Sequence, residues 1–193
     1  LCLDGRSFRL RPIELSDADF VVALRSEPRA EGLLHPISGL VADQVAWHQG
    51  YLLRPDDWYW IVERRLDGAP EGTVGIWGVD RAAGRAEWGR WILRSGSPAA
   101  PESALLLYSL AFDLIGLSEV YCRTVATNAA VLSFHDRTGL ERVGNISGAF
   151  ELGATRADAV QHRLLRERWP TTRAILQVRA EQVSQLLERG ARR

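Results

Sequence analysis

Glu87 and His135 carry the side chains best placed to move protons, and each lies in a segment with a clear structural signature. Glu87 belongs to the strand-like run Ala86-Glu87-Trp88-Gly89-Arg90-Trp91-Ile92-Leu93. His135 lies within Asn128-Ala129-Ala130-Val131-Leu132-Ser133-Phe134-His135-Asp136-Arg137-Thr138-Gly139-Leu140. A carboxylate whose pKa is raised by burial suits a general base. An imidazole near pKa 6.5 suits a general acid near neutral pH. Between the two, a Gly/Ser/Pro/Ala loop from Ser95 to Ala100 opens an apolar-periodic helix ending near Ile115. Unpaired amides at a helix start, with the helix dipole behind them, favour an anion.

These signals, in this order with the strand Val120 to Val125 between them, resemble the GNAT superfamily of acetyl-CoA-dependent N-acetyltransferases. The similarity is to the bacterial branch that contains ribosomal-protein and amino-sugar-nucleotide N-acetyltransferases, over roughly residues 7 to 166. Its most specific part is the late motif Asn-x-x-Ala/Val-x-x-apolar-Tyr/His-x-x-x-Gly-Phe/Leu, matched by Asn128 to Leu140. The resemblance implies a mixed α/β (α+β) GNAT fold: a central, mostly antiparallel sheet of about seven strands, flanked by helices and followed by an extra C-terminal helix. It implies acetyl-CoA as co-substrate, no metal, and direct attack of a primary amine on the thioester.

Site residues follow from the same resemblance. Glu87 stands where these enzymes commonly carry a base, acting directly or through a water; the alternative is a surface carboxylate paired with Arg85 or Arg90. Strand alternation puts Glu87, Gly89 and Trp91 on one face. His135 takes the position of a tyrosine that protonates the departing thiolate, or else lines the cofactor or is solvated. The expected cofactor contacts are Ile92, Leu93, Arg94, Gly96, Ser97, Ala99, Ala100, Asn128 and Ser133. Asn128 is also a helix N-cap. The loop Arg94-Ser95-Gly96-Ser97-Pro98-Ala99 departs from the family pattern Gln/Arg-x-x-Gly-x-Gly/Ala: Pro98 removes an amide, and Glu102 adds a negative charge in the helix's first turn. Ser95, Ser97 and Arg94 are available to compensate.

A base matters more for some acceptors than others. At pH 7 a lysine-like amine is neutral about once in 2,500 molecules, a cost of about 4.6 kcal/mol, whereas an α-amine costs only about 1 kcal/mol. Most of the seven tryptophans fall in the half of the chain that builds the acceptor side, and exposed rings suit a sugar or nucleobase. His35, Trp47 and Trp91 are the candidate acceptor contacts. The favoured acceptor is an amino-sugar nucleotide or similar small molecule. The alternatives are a protein N-terminus, as in ribosomal-protein acetylation, and a degenerate domain that binds a ligand or partner without catalysis.

The elements that must position these residues are legible in outline. Ser7 to Pro12 reads as a first strand, with a helix from Ser16, as N-cap, to Arg25 and a loop over 32–40. A second helix follows from Val41 to Leu53. Trp58 to Arg65, Thr73 to Val79 and Arg85 to Leu93 form an antiparallel meander, and Ala157 to Leu165 a last strand. Leu107, Leu110, Ala111 and Leu114 mark one face of the helix after the loop; Leu176, Val183, Leu186 and Leu187 mark one face of a helix over 171–189.

At 193 residues and 46% hydrophobic, the chain suffices for one domain over 1–193, a core at about 7–166 with an extension at about 169–190. No long apolar run or leader pattern occurs, so a cytoplasmic protein is expected, with no membrane partner. Lysine and methionine are absent, which points to a GC-rich bacterial source and a missing start residue. Net charge is zero, but residues 156–193 carry 9 Arg against 4 Asp/Glu. That basic tail reads as a solvated helix face or an anion-binding surface, and no nucleic-acid partner is expected. Cys2 and Cys122 form no metal or disulfide pattern, and a homodimer through the last helix is one option.

Overall fold

A computed structural model describes residues 1–191. Its strands are β1 (Leu3–Asp4), β2 (Phe8–Pro12), β3 (Trp58–Arg64), β4 (Pro70–Asp80), β5 (Arg85–Leu93), β6 (Glu119–Val125), β7 (Glu141–Leu152) and β8 (Thr155–Leu165). The helices are α1 (Ala18–Arg25), α2 (Val41–Tyr51), α3 (Ala100–Ser109), α4 (Ala129–Arg137) and α5 (Trp169–Ala191). All eight strands form one sheet in the order β1-β2-β3-β4-β5-β6-β8-β7. Every pairing is antiparallel except β5 with β6.

The sheet is covered on both faces. On one side Phe8, Trp60, Val74, Ala86, Trp88 and Val120 meet Leu107, Tyr108 and Ala111 of α3 and Trp169 and Leu176 of α5. On the other, Ile13, Tyr59 and Ile61 pack with Val21 of α1 and Tyr51 of α2. Two expected helix faces are trimmed. Leu114 is exposed because α3 widens into a π turn, Leu110–Ile115, before ending at Gly116 in a left-handed conformation (φ 88°). Leu186 of α5 is 65% exposed, whereas Leu176 is fully buried. α1 also starts later than expected. Ser16 is not its N-cap but lies in a 3-10 turn, Leu15–Asp17, closed by a capping box between Glu14 and Asp17.

The β5–β6 junction is the one parallel step in this sheet. Parallel pairing covers only Arg85↔Glu119, Ala86↔Val120 and Glu87↔Tyr121, although both strands run on. Beyond Glu87 the strands diverge, and the edge of β5 loses its neighbour on that side. On its other side β5 advances from Gly89 to Ile92 while β4 steps only from Gly75 to Thr73, so β5 carries one extra residue. Arg90 absorbs it at φ 48°, a conformation that is costly for a residue with a side chain. Its guanidinium grips both oxygens of Asp57 and lies 4.6 Å from the Trp77 ring centroid, which holds the bulge in place.

Candidate active site

The bulge resets the side-chain alternation of β5. Trp91, expected on the Glu87 face, instead joins Trp88 on the α3/α4 side, with ring centroids 5.4 Å apart. Its Nε1 donates to Ser103 Oγ of α3 at 3.1 Å, and its ring lies 4.9 Å from Phe134 and 6.0 Å from His135 of α4. Trp91 thereby forms part of the wall between two openings in the cleft.

The inner opening is a cavity of about 410 Å³ lined by Glu87, Arg123, Trp77, His135, Arg25 and His35, among others. Glu87 is buried. Its partner is neither Arg85 nor Arg90 but Arg123, which donates from Nε and Nη2 to the two carboxylate oxygens at 2.9 Å each. Glu87 lies opposite Tyr121, and Arg123, two residues on, shares that face of β6. This carboxylate raises the Arg123 guanidinium above its usual range, outweighing burial. Each Glu87 oxygen keeps a lone pair for another donor.

His135 is 1% exposed, with Nε2 3.5 Å from Cys122 Sγ and Nδ1 sealed without a partner. Burial, then the neighbouring His162, pushes its pKa down to about 3, against a smaller upward pull from Asp136. At neutral pH it is therefore an uncharged wall of the cavity, which sets aside the imidazolium acid and the solvated residue among the three roles read from the sequence. Burial likewise pushes the Cys122 thiol far above its ordinary value.

The outer opening is a groove of about 480 Å³, lined by Trp91, Ile92, Leu93, Arg94, Gly96, Ser97, Ala100 and Asn128, with Val131 and Phe134 of α4 and Arg29, Ala30, Leu33 and Leu34 of the α1–α2 segment. Leu33, Leu34, Trp91, Asn128 and Val131 line both openings. In the loop, Arg94 N–H donates to Glu71 O at 2.8 Å and Ser97 N–H to Arg94 O at 3.1 Å, while Ala99 N–H faces Ser97 Oγ at 3.4 Å. Pro98 and Pro101 have no N–H. The amides of Ser95, Gly96 and Ala100 remain for an anion, with Gly96 in a left-handed turn (φ 77°). Arg94 and Arg29, whose guanidinium also holds Leu93 O, place positive charge on the same groove.

Glu102 does not oppose that charge. It is 4% exposed and turned away from the loop; its carboxylate accepts the N–H groups of Arg6, Ser7 and Phe8 in the β1–β2 turn.

Three expected contacts fall outside both openings. Ala99 is fully buried in the core. Ser133, on α4, lies beside the groove-lining Ala130 and Phe134 but lines neither opening itself. Trp47 stacks on Tyr51 of α2, centroids 5.8 Å apart, with Arg54 and Arg90 over its ring. Asn128 caps α4, accepting Val131 N–H at 3.3 Å, and lines both openings as well. Arg25, Arg29 and strand β7, whose Ala149, Phe150 and Leu152 line one side of the inner cavity, were not among the sequence-read site residues. Arg123 was recoverable, because a parallel β5–β6 pair in register sets it beside Glu87.

A family model for the acetyltransferase (GNAT) domain matches residues 7–141. The chain belongs to the GNAT acetyltransferase family, whose members use acetyl-CoA. Solved structures agree on the fold. A GCN5-related N-acetyltransferase from Brucella melitensis is 22% identical over 92% of this chain and 84% of that one, with a TM-score of 0.81. FdhC, described as a nucleotide-linked sugar GNAT, is 24% identical over 93% of this chain and 97% of that one, with a TM-score of 0.76. A variant of the Vibrio cholerae spermidine N-acetyltransferase SpeG is 14% identical over 86% and 97%, with a TM-score of 0.72. No curated protein matches the chain.

Proposed function

We propose that this protein transfers acetyl from acetyl-CoA to a primary amine on a small molecule, with an amino-sugar nucleotide as the favoured acceptor. The observation that carries this is the divergence of β5 from β6 just past Glu87, which leaves a buried carboxylate, held by Arg123, beside a cavity that meets a second groove at Leu33, Leu34, Trp91, Asn128 and Val131.

The residues present fit the cofactor. The Gly96 and Ala100 amides with Arg29 and Arg94 suit its pyrophosphate. Trp91, Ile92, Val131 and Phe134 supply apolar walls for the pantetheine arm, beside the polar Asn128. Acetyl-CoA when bound supplies a thioester carbonyl open to attack by a neutral amine. Glu87 would take the amine's proton, directly or through a water, as the C–N bond forms and the C–S bond breaks; the thiolate would leave and take a proton from water, and Arg123 would keep the Glu87 carboxylate in place. His135, uncharged, shapes the wall and helps exclude water.

The acceptor side favours a small molecule over a peptide. The inner cavity is bounded by Leu33, Leu34 and His35 on one side and Ala149, Phe150 and Leu152 on the other, and its one acidic side chain, Glu87, is already paired. An open acidic groove, the feature that suits a protein N-terminus, is not what these residues form. FdhC, similar in fold, is described as acting on nucleotide-linked sugars, which supports the same acceptor class. The test is thiol release from acetyl-CoA by the purified protein, supplied in turn with amino-sugar nucleotides, spermidine and short peptides. Turnover with an amino-sugar nucleotide above the others supports the assignment; turnover confined to peptides rejects it.

A further inference from the structure

The inner cavity holds a positive charge that the chain does not balance. Three guanidiniums line it: Arg25, Arg90 and Arg123. Arg90 is matched by Asp57 and Arg123 by Glu87, each in a two-point ion pair. Arg25, at the last position of α1, has no carboxylate partner among the described residues. One of its nitrogens donates to His35 O at 2.8 Å, and its Nε is sealed from solvent with no acceptor. Burial pushes its guanidinium below its ordinary value, the direction expected of a cation removed from water without a counter-charge. Arg25 as a whole is half-buried, and an anion seated against its guanidinium would supply the counter-charge that the described residues do not.

Its place in the cleft indicates where that anion would come from. A second hollow of about 580 Å³ adjoins the inner cavity, and the two share Arg25, Leu34, His35 and Leu152. Of the acidic residues on the second hollow, Glu27 is held by Arg29, and Glu31 is exposed. A ligand extending from Glu87 toward solvent through this hollow must pass Arg25.

We infer that Arg25 is an oxyanion subsite: it takes a phosphate or carboxylate carried by the acceptor while the acceptor's amine lies at Glu87, so that amines on an anionic body are selected and polyamines are refused. The amine end rests on the acetyltransferase assignment above; the anion subsite does not.

The experiment separates the two. Inorganic pyrophosphate and malonate, the phosphate and carboxylate arms, are titrated by calorimetry into wild-type protein, Arg25→Gln and Arg25→Lys, first with the cofactor groove filled by CoA and then without CoA. The thermal melt of each variant confirms that it is folded. The inference expects at least one of the two anions to bind with CoA present, about tenfold more weakly in Arg25→Gln, with most of the affinity kept in Arg25→Lys. Binding of neither anion, or equal affinity in wild type and Arg25→Gln, overturns it. Absence of CoA binding counts against the cofactor assignment alone, because the comparison of wild type with Arg25→Gln without CoA still reads the anion subsite. With turnover in hand, glucosamine 6-phosphate should outpace glucosamine in kcat/KM about tenfold in wild type and lose that advantage in Arg25→Gln. Spermidine should be a poorer substrate than either, and a preference for it contradicts the inference.

Discussion

The two-point contact between Arg123 and Glu87 fixes where that carboxylate lies in the cleft. Glu87→Gln keeps the side chain's size and one acceptor for Arg123 but removes the base. It should lower kcat about 100-fold or more while leaving acetyl-CoA affinity within a few-fold; steady-state kinetics with unchanged kcat would reject the role. His135 makes a prediction about stability instead. In the unfolded chain a histidine takes up its proton near pH 6.5, whereas folded His135 does so only near 3. Between these values the unfolded chain holds more protons, so stability is fully present above about pH 6.5 and is lost as pH falls toward 3, by at most about 1.4 kcal/mol per pH unit for one proton. His135→Phe should flatten that decline in melting temperature; an identical decline would show that other groups cause it. The position of Glu87 was legible from the strand and loop around it. The charge state of His135 was not, because it depends on Trp88, Trp91, Cys122 and His162 closing around the ring, all of them distant in sequence.

Among the elements, the strands that bury one face or both were recoverable from their residue pattern, and β7 was not. Most of β7 is exposed, so it lacks the apolar alternation that marks a half-buried strand. The bulge at Arg90 was hidden for a different reason. Nothing in Gly89-Arg90-Trp91 marks an extra residue, and the strand alternates normally up to that point, which is why Trp91 was assigned to the wrong face. Glu102 illustrates how an element's partner decides the meaning of a charge. Read along the chain it threatens the phosphate loop; in the fold it ties α3 to the β1–β2 turn. Glu102→Gln should therefore cost about 1–3 kcal/mol of stability, since it weakens the acceptor for three buried or half-buried amides. Acetyl-CoA affinity should not rise. A tighter titration with unchanged melting temperature would mean that the charge does act on the loop.

At the scale of the whole molecule, α5 belongs to the same core as the sheet. Trp169 and Leu176 pack in the cluster that includes Trp88 and Tyr108, and the tail's arginines stitch inward: Arg166 to Phe112 O and Leu117 O, Arg173 to Asp113, and Arg179 to Arg137 O. Three arginines of the basic tail read from the sequence are thus engaged within the chain. Leu176→Ala should cost about 2–5 kcal/mol, lowering the melting temperature by about 5–15 °C, whereas exposed Leu186→Ala should cost less than about 0.5 kcal/mol. Equal effects at the two positions would mean that α5 is not docked through Leu176. No helix among the described residues is long and apolar enough to cross a membrane. The proposed acetyl transfer requires the substituted loop to hold pyrophosphate, with the Gly96 and Ala100 amides and two arginines where the family pattern has more glycine. Calorimetric titration of acetyl-CoA into the purified protein tests this directly. Binding in the micromolar range, weakened in Arg94→Ala, is the expected result; no binding at millimolar acetyl-CoA by a folded protein would contradict it.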